Sequence, residues 1–288
     1  GALAVTLEDD ADHPVLEPGP GETPLWPTVH VRGLFDANID RGGVLAVLEG
    51  AAAPVRPEHL RWREVGDRDW ERAWMDRFEA MRFGERLWIV PTGMTGPADS
   101  TAVCVRLDPG LAFGTGTHPT TALCLEWLDR YSVKGLDVVD YGCGSGILGI
   151  AAALLGASGV EAVDNDPQAL EATATNAGRN GVSEQVRCVV PGDFRATNAG
   201  AVLANILAGP LAELAPLIHG CALPGAPIVL SGLLEEQGDG VVAAYRPACR
   251  LLETVTRDGW SRVVLEKVWA RVASEGSPRI GLSDTHTS

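Results

Sequence analysis

Two acids, three glycines and an asparagine are the residues of this chain best spaced to do chemistry. Gly142, Gly144 and Gly146 alternate within Asp140-Tyr141-Gly142-Cys143-Gly144-Ser145-Gly146-Ile147-Leu148. A strand-type run, Leu136 to Val139, precedes them, and an apolar helical run, Ile147 to Leu155, follows. Strand, glycine turn and helix in that order cradle a nucleoside cofactor, because glycine admits close backbone approach and a helix start offers unpaired N–H groups. A dinucleotide fingerprint would want glycine at 142, 144 and 147, but position 147 is isoleucine. The spacing suits S-adenosylmethionine, which brings no pyrophosphate to the helix. Asp164 ends the next apolar run, Val160 to Val163, 22 residues beyond Gly142 (164 − 142). A carboxylate placed there accepts ribose hydroxyls. A glycine turn alone is equally compatible with a structural bend; the acid in register is what favours a cofactor site.

Asn205 closes a further strand run and is followed by Ile206, Leu207 and Ala208. Ligands of open α/β sheets sit beyond the carboxyl ends of the strands, so Asn205 is expected to face the reactive end of the cofactor. Its amide can accept from a substrate amine. Enzymes that methylate planar amides or bases typically carry Asn/Asp-Pro-Pro-aromatic here, and this chain lacks both prolines and ring, which favours a flexible amine acceptor. The alternative is an ordinary strand-end cap. Upstream, Asp108 to Thr121 holds Gly114-Thr115-Gly116-Thr117-His118-Pro119, a backbone able to fold over a ligand, with Phe113 as an aromatic cover. Thr117 or His118 can start the next helix. His118 is also a candidate proton acceptor near neutral pH, though a positional role is preferred.

The elements that must hold these residues alternate regularly. Strands are expected at 136–140, 160–164, 186–190, 201–205 and 227–231, with helices near 146–156, 167–179, 207–219 and 234–245. The pattern predicts a mostly parallel sheet with right-handed crossovers. A helix over 118–131 precedes it, and 251–255 with 262–267, joined through Asp258-Gly259, reads as a closing antiparallel pair. Residues 1–92 read as a small α+β unit with strands at 3–7, 29–35 and 60–65 and a helix at 43–53. Between its first strands, Pro14 to Pro27 is read as an irregular loop. A helix over 69–81 carries Trp70, Trp74, Phe78 and Met81 on one face, and strands follow at 86–90 and 102–107. The expected domains are 1–67 for recognition, 68–100 for the linker, 101–270 for methyl transfer and 271–288 as a disordered polar tail.

A formal charge of −15 speaks against direct phosphate-backbone binding, and residues 1–60 hold ten Asp/Glu against three Lys/Arg. An acidic surface attracts a basic, Lys-rich protein. The six cysteines and six histidines are scattered without ligand spacing, so neither a metal nor a disulfide frame is expected. No apolar run reaches membrane-spanning length, and no signal peptide is read at Gly1. A cytoplasmic monomer is expected.

The run Pro109 to Thr121, the glycine cradle, Asp164-Asn165-Asp166-Pro167 and Asn205-Ile206-Leu207-Ala208-Gly209-Pro210 together resemble the PrmA family. Those enzymes methylate large-subunit ribosomal protein eleven. The likeness extends through Leu16-Glu17-Pro18, Gly21-Glu22-Thr23, Trp70 to Met75 and Met81 to Arg86, and covers residues 1 to about 268. It implies a class I S-adenosylmethionine-dependent methyltransferase, a Rossmann-like seven-stranded α/β fold behind a small α+β recognition domain. It places cofactor contacts on Thr121, Gly142, Asp164 and Asn205, with Gly144 in the same cradle. It implies a substrate whose lysine ε-amino and α-amino groups are taken to the trimethyl state. Family members start one strand and one helix upstream of the match to Gly1, so the recognition domain is expected to lack that unit. Two other readings remain: a small-molecule or glutamine-amide methyltransferase, and an idle module that only holds the ribosomal protein.

Overall fold

The computed structural model describes residues 2–9, 29–50, 59–64, 79–107, 118–195 and 198–268. The chain divides into two compact units, Gly1–Asp69 and Trp70–Ser288. The expected Pro-rich loop, most of the helix over 69–81, and the tail lie outside the described residues.

In the first unit, β1 (Ala4–Asp9) pairs antiparallel with β2 (Val29–Leu34), from Ala4↔Leu34 to Asp9↔Val29. Helix α1 (Arg41–Glu49) starts at Asp40, whose carboxylate accepts the Gly42 N–H at 3.0 Å. That bond satisfies one of the donors a helix start leaves over. None of α1 is buried, and Leu3, Val5, Leu7 and Val31 of the hairpin are exposed by 43–70%. The strand expected at 60–65 does not form over 60–64. Alternation there serves side-chain packing instead: Trp62 lies against Phe35 (6.1 Å between centroids) and under the Arg41 guanidinium (5.4 Å).

The second unit opens with a three-stranded sheet, β3 (Met81–Phe83), β4 (Leu87–Val90) and β5 (Val103–Arg106), in that order. Met81 therefore belongs to a strand, not to the end of the expected helix. The β3–β4 turn is held by Asp129, a buried carboxylate that accepts backbone N–H groups from Glu85, Arg86 and Leu87. Asp129 belongs to α2 (Pro119–Arg130), which starts with Pro119 behind its N-cap His118.

The main sheet has seven strands in the order β11-β12-β10-β9-β6-β7-β8. Its parallel members are β6 (Asp137–Tyr141), β7 (Gly159–Val163), β8 (Val186–Val189), β9 (Ala201–Asn205) and β10 (Pro227–Leu234). Helices α3 (Ile147–Leu154) and α4 (Pro167–Arg179) make the crossovers on one side of the switch between β6 and β9. The single helix expected at 207–219 is two, α5 (Ala208–Glu213) and α6 (Ala215–Cys221), meeting at Leu214. Pro216 has no N–H to continue α5, and proline is favoured in a first turn, so the helix stops and restarts. A 3₁₀ turn (Glu235–Gln237) and α7 (Gly238–Tyr245) follow. The antiparallel pair β11 (Cys249–Arg257) and β12 (Trp260–Lys267) closes the edge through Asp258 (φ 51°) and Gly259 (φ 78°). Two left-handed residues match the right-handed twist of the strands they join.

Buried strand residues such as Val202, Leu203, Ile228, Val229 and Leu230 are wholly inaccessible, each worth roughly 1.5–3 kcal/mol if it is a full-sized aliphatic side chain. Arg262 of β12 is also fully buried. Its Nη1 donates to the Leu123 carbonyl of α2 at 3.0 Å and its Nη2 pairs with Glu253.

Candidate functional site

The glycine bend lies beyond the carboxyl end of β6, beside the switch where the chain leaves β6–β8 and returns to build β9 and β10. Gly142, Gly144 and Gly146 all take positive φ (77°, 54° and 78°), the region other residues avoid. At Gly142 a second constraint applies: a Cβ would lie 2.2 Å from Cγ2 of Ile206.

The donors of the bend are turned inward. Gly142 and Cys143 give their N–H groups to the Val163 carbonyl (2.7 and 3.0 Å), Gly146 gives its own to Cys143, and Gly149 reaches Asp140 at 2.8 Å. The Gly144 N–H bonds the Asp164 carboxylate at 2.9 Å. A pyrophosphate site needs such groups aimed at the ligand. This bend also buries the Asp140 carboxyl under the start of α3. Burial, opposed by the Gly149 bond and aided by the charge of Asp164, pushes that carboxyl up to about 7. Inward donors and nearby acids suit a ligand without phosphate that carries positive charge, the character of S-adenosylmethionine.

Asp164 stands just past β7, with one oxygen on Gly144 and the other accepting the Asp166 N–H at 3.0 Å. Each carboxylate oxygen has two lone pairs, so capacity for two hydroxyl donors remains. Across the switch, the Asn205 Nδ2 donates to Thr121 Oγ1 at 3.2 Å, joining the end of β9 to the first turn of α2. Beyond them, Gly232 interrupts β10 with a bulge between Ser231 and Leu233. A Cβ on Gly232 (φ 86°) would lie 2.4 Å from the Ile206 carbonyl oxygen. Ile206 is thus held between two glycines, which fixes the strand end that carries Asn205.

His118 is the N-cap of α2, its Nδ1 2.8 Å from Thr120 Oγ1, and its ring meets Trp260 edge-on at 4.7 Å. Desolvation holds its pKa below the usual imidazole value, which favours the neutral ring. The geometry thus brings Asp164 to Gly144, Gly142 to Ile206 and Asn205 to Thr121, while His118 caps the helix. Phe113 lies outside the described residues. Trp260 and Gly232 carried no expectation from the sequence, and Ile206 figures there only as part of the missing planar clamp; a lone glycine inside the apolar run of β10 was the available signal for a bulge.

Residues 1–268 match the family model described as ribosomal protein L11 methyltransferase (PrmA). The chain belongs to this family. It is 50% identical over 264 residues to the "Ribosomal protein L11 methyltransferase" of Methylococcus capsulatus, covering 91% of this chain and 90% of that protein. Its counterpart of the same name in Pseudomonas aeruginosa is 52% identical over 265 residues, 91% of this chain and 89% of that one. The solved ribosomal protein L11 methylase of Lactobacillus delbrueckii subsp. bulgaricus superposes with a TM-score of 0.60 at 29% identity, over 67% of this chain and 100% of that one. The seven-stranded, mostly parallel sheet is that of a class I methyltransferase, and in this PrmA-family chain the bend, Asp164 and Asn205 all meet at its carboxyl edge.

Proposed function

We propose that this protein transfers methyl groups from S-adenosylmethionine to amino groups of ribosomal protein L11, lysine ε-amino and α-amino, up to the trimethyl state. The observation that carries the reading is the pairing of Asn205 with Thr121 directly across the sheet switch from Asp164 and its glycine bend. Family membership supplies the substrate.

When bound, S-adenosylmethionine supplies an electrophilic methyl on a cationic sulfur. Asp164 would hold the ribose hydroxyls, and position 142 must be glycine because Ile206 already fills the space a side chain would need. Asn205 and the backbone carbonyls at the end of β9 would orient the acceptor nitrogen. A lysine amine, with a reference pKa of about 10.4, must first shed its proton, and desolvation at an apolar mouth favours the neutral form. Ile206 and the half-exposed Leu207 provide that mouth without a planar clamp, which suits an acceptor that grows with each methyl. His118, already engaged with Thr120, serves position rather than proton transfer. Orientation and desolvation then provide most of the rate.

The first unit, with its exposed apolar hairpin and acidic composition, would receive the basic substrate. A monomer working in the cytoplasm without direct nucleic-acid contact completes the proposal. The deciding test is incubation with radiolabelled S-adenosylmethionine and purified L11. Label on L11 lysines supports the reading, and absence of label with an active P. aeruginosa relative run alongside sinks it. Asn205→Ala is expected to lower kcat by about 10²-fold if orientation is its contribution.

A further inference from the structure

Helix α4 carries a polar stripe that the proposed chemistry leaves unused. Thr173, Asn176 and Asn180 recur at three- and four-residue spacing, so they share one face, with Asn180 capping the helix. Each bonds to main chain outside the helix. Thr173 Oγ1 donates to the Gly144 carbonyl at 3.0 Å, and Asn176 Nδ2 donates to the Ser145 carbonyl at 2.9 Å. Asn180 does something different. Its Oδ1 accepts the Arg106 N–H at 2.7 Å while its Nδ2 donates to the Arg106 carbonyl at 2.8 Å. A carboxamide that takes both main-chain groups of one residue imitates a neighbouring strand. It does so at the end of β5, the outer strand of its sheet, on the side where no strand pairs with Arg106 among the described residues.

The same helix therefore grips the glycine bend from its middle and last turn, through Thr173 and Asn176, and the close of β5 from its C-terminal cap. Two residues past Arg106 begins the connection to α2, whose Thr121 bonds Asn205. We propose that Asn180 is a positioning residue for methyl transfer: its pair of hydrogen bonds to Arg106, with Asn176 on Ser145, sets the spacing between the glycine bend and the strand that leads into α2. Asn180 touches neither cofactor nor substrate and acts through the backbone it holds. This rests on the cofactor reading above.

Asn180→Ala removes both bonds to Arg106 and also the Nδ2 bond to the Asn176 carbonyl (2.8 Å), which lies within the helix cap. The expected result is a dissociation constant for S-adenosylhomocysteine raised about tenfold in calorimetry, with kcat at saturating cofactor within about twofold. Trypsin should also cut faster after Arg106, because its backbone is released. Tyr245→Phe is the control for general loss of stability: it deletes the buried bond to the Leu211 carbonyl (3.0 Å), far along the chain from the bend. That variant should lose melting temperature comparably yet keep the parent cofactor affinity. If Asn180→Ala and Tyr245→Phe share the same affinity, or Asn180→Ala binds as the parent does, the positioning role is overturned. If the unaltered protein fails to bind S-adenosylhomocysteine, the cofactor reading falls and this inference with it.

Discussion

The two units of the chain use the same strand grammar to opposite ends. In β9 and β10 the apolar side chains are sealed on both faces, and Val202, Leu203 and Val229 see no solvent. In the β1–β2 hairpin, Leu3, Val5, Leu7 and Val31 stand on one face and remain in water. Parallel strands under crossover helices are covered twice, whereas a two-stranded ribbon has little to cover it and is marginal alone. The contrast teaches that apolar pattern marks a surface to be buried and does not say what buries it. A core does so in one unit; in the proposed function, the substrate does so in the other.

Four changes would break or sharpen that contrast. Leu203→Ala should cost about 2–5 kcal/mol in urea unfolding, because it leaves a cavity in a sealed layer. A loss below about 1 kcal/mol would mean the core is looser than described. Asp164→Ala should weaken S-adenosylhomocysteine binding by about 10²-fold if, as proposed, it holds two ribose hydroxyls, while leaving intact the L11 capture proposed for the first unit.

The third concerns pH. The Asp140 carboxyl is raised to about 7 in the folded chain, so between about pH 4 and 7 the folded state binds more protons than the unfolded one. Stability from this group is full below that window and falls as pH rises through it. Asp140→Asn keeps an acceptor for Gly149 and should flatten the decline in unfolding free energy between pH 5 and pH 8. An unchanged slope would reassign it to other groups. The smallest effect on stability is expected from Val31→Ser in the hairpin, within about 0.5 kcal/mol, because its side chain is already exposed. If the hairpin receives the substrate, the same change should raise KM for L11 severalfold, and an unaltered KM would separate that face from recognition.

Much of this was readable from sequence where one signal dominated. Strand-length apolar runs separated by amphipathic helices located β6 to β10, and Asp258-Gly259 named its own turn. Asp164 stood out as an acid at a strand end, and its carboxylate accepts the N–H groups of Gly144 and Asp166. Met81 misled because its spacing from Phe78 fits a helix while its alternation with Phe83 fits a strand, and short runs satisfy both periods. The break at Leu214 needed Pro216 to be read as a restart instead of a tolerated interruption. Asn180 was beyond reach: an Asn-Gly pair at a helix end advertises a local stop, and nothing local announces a bond to a residue 74 positions earlier. Trp260 likewise becomes meaningful only when β12 is laid beside β10, next to the start of α2.

That placement of β12 has a consequence for how the molecule comes into being. Strand β12, the last in order among the described residues, slots between β10 and β11, and from it Arg262 grips α2 at Leu123 while Trp260 abuts His118. A nascent chain that does not yet include β12 would have the bend but not the wall behind Thr121. Translation must therefore pass Lys267 before this catalyst of ribosomal modification can be completed.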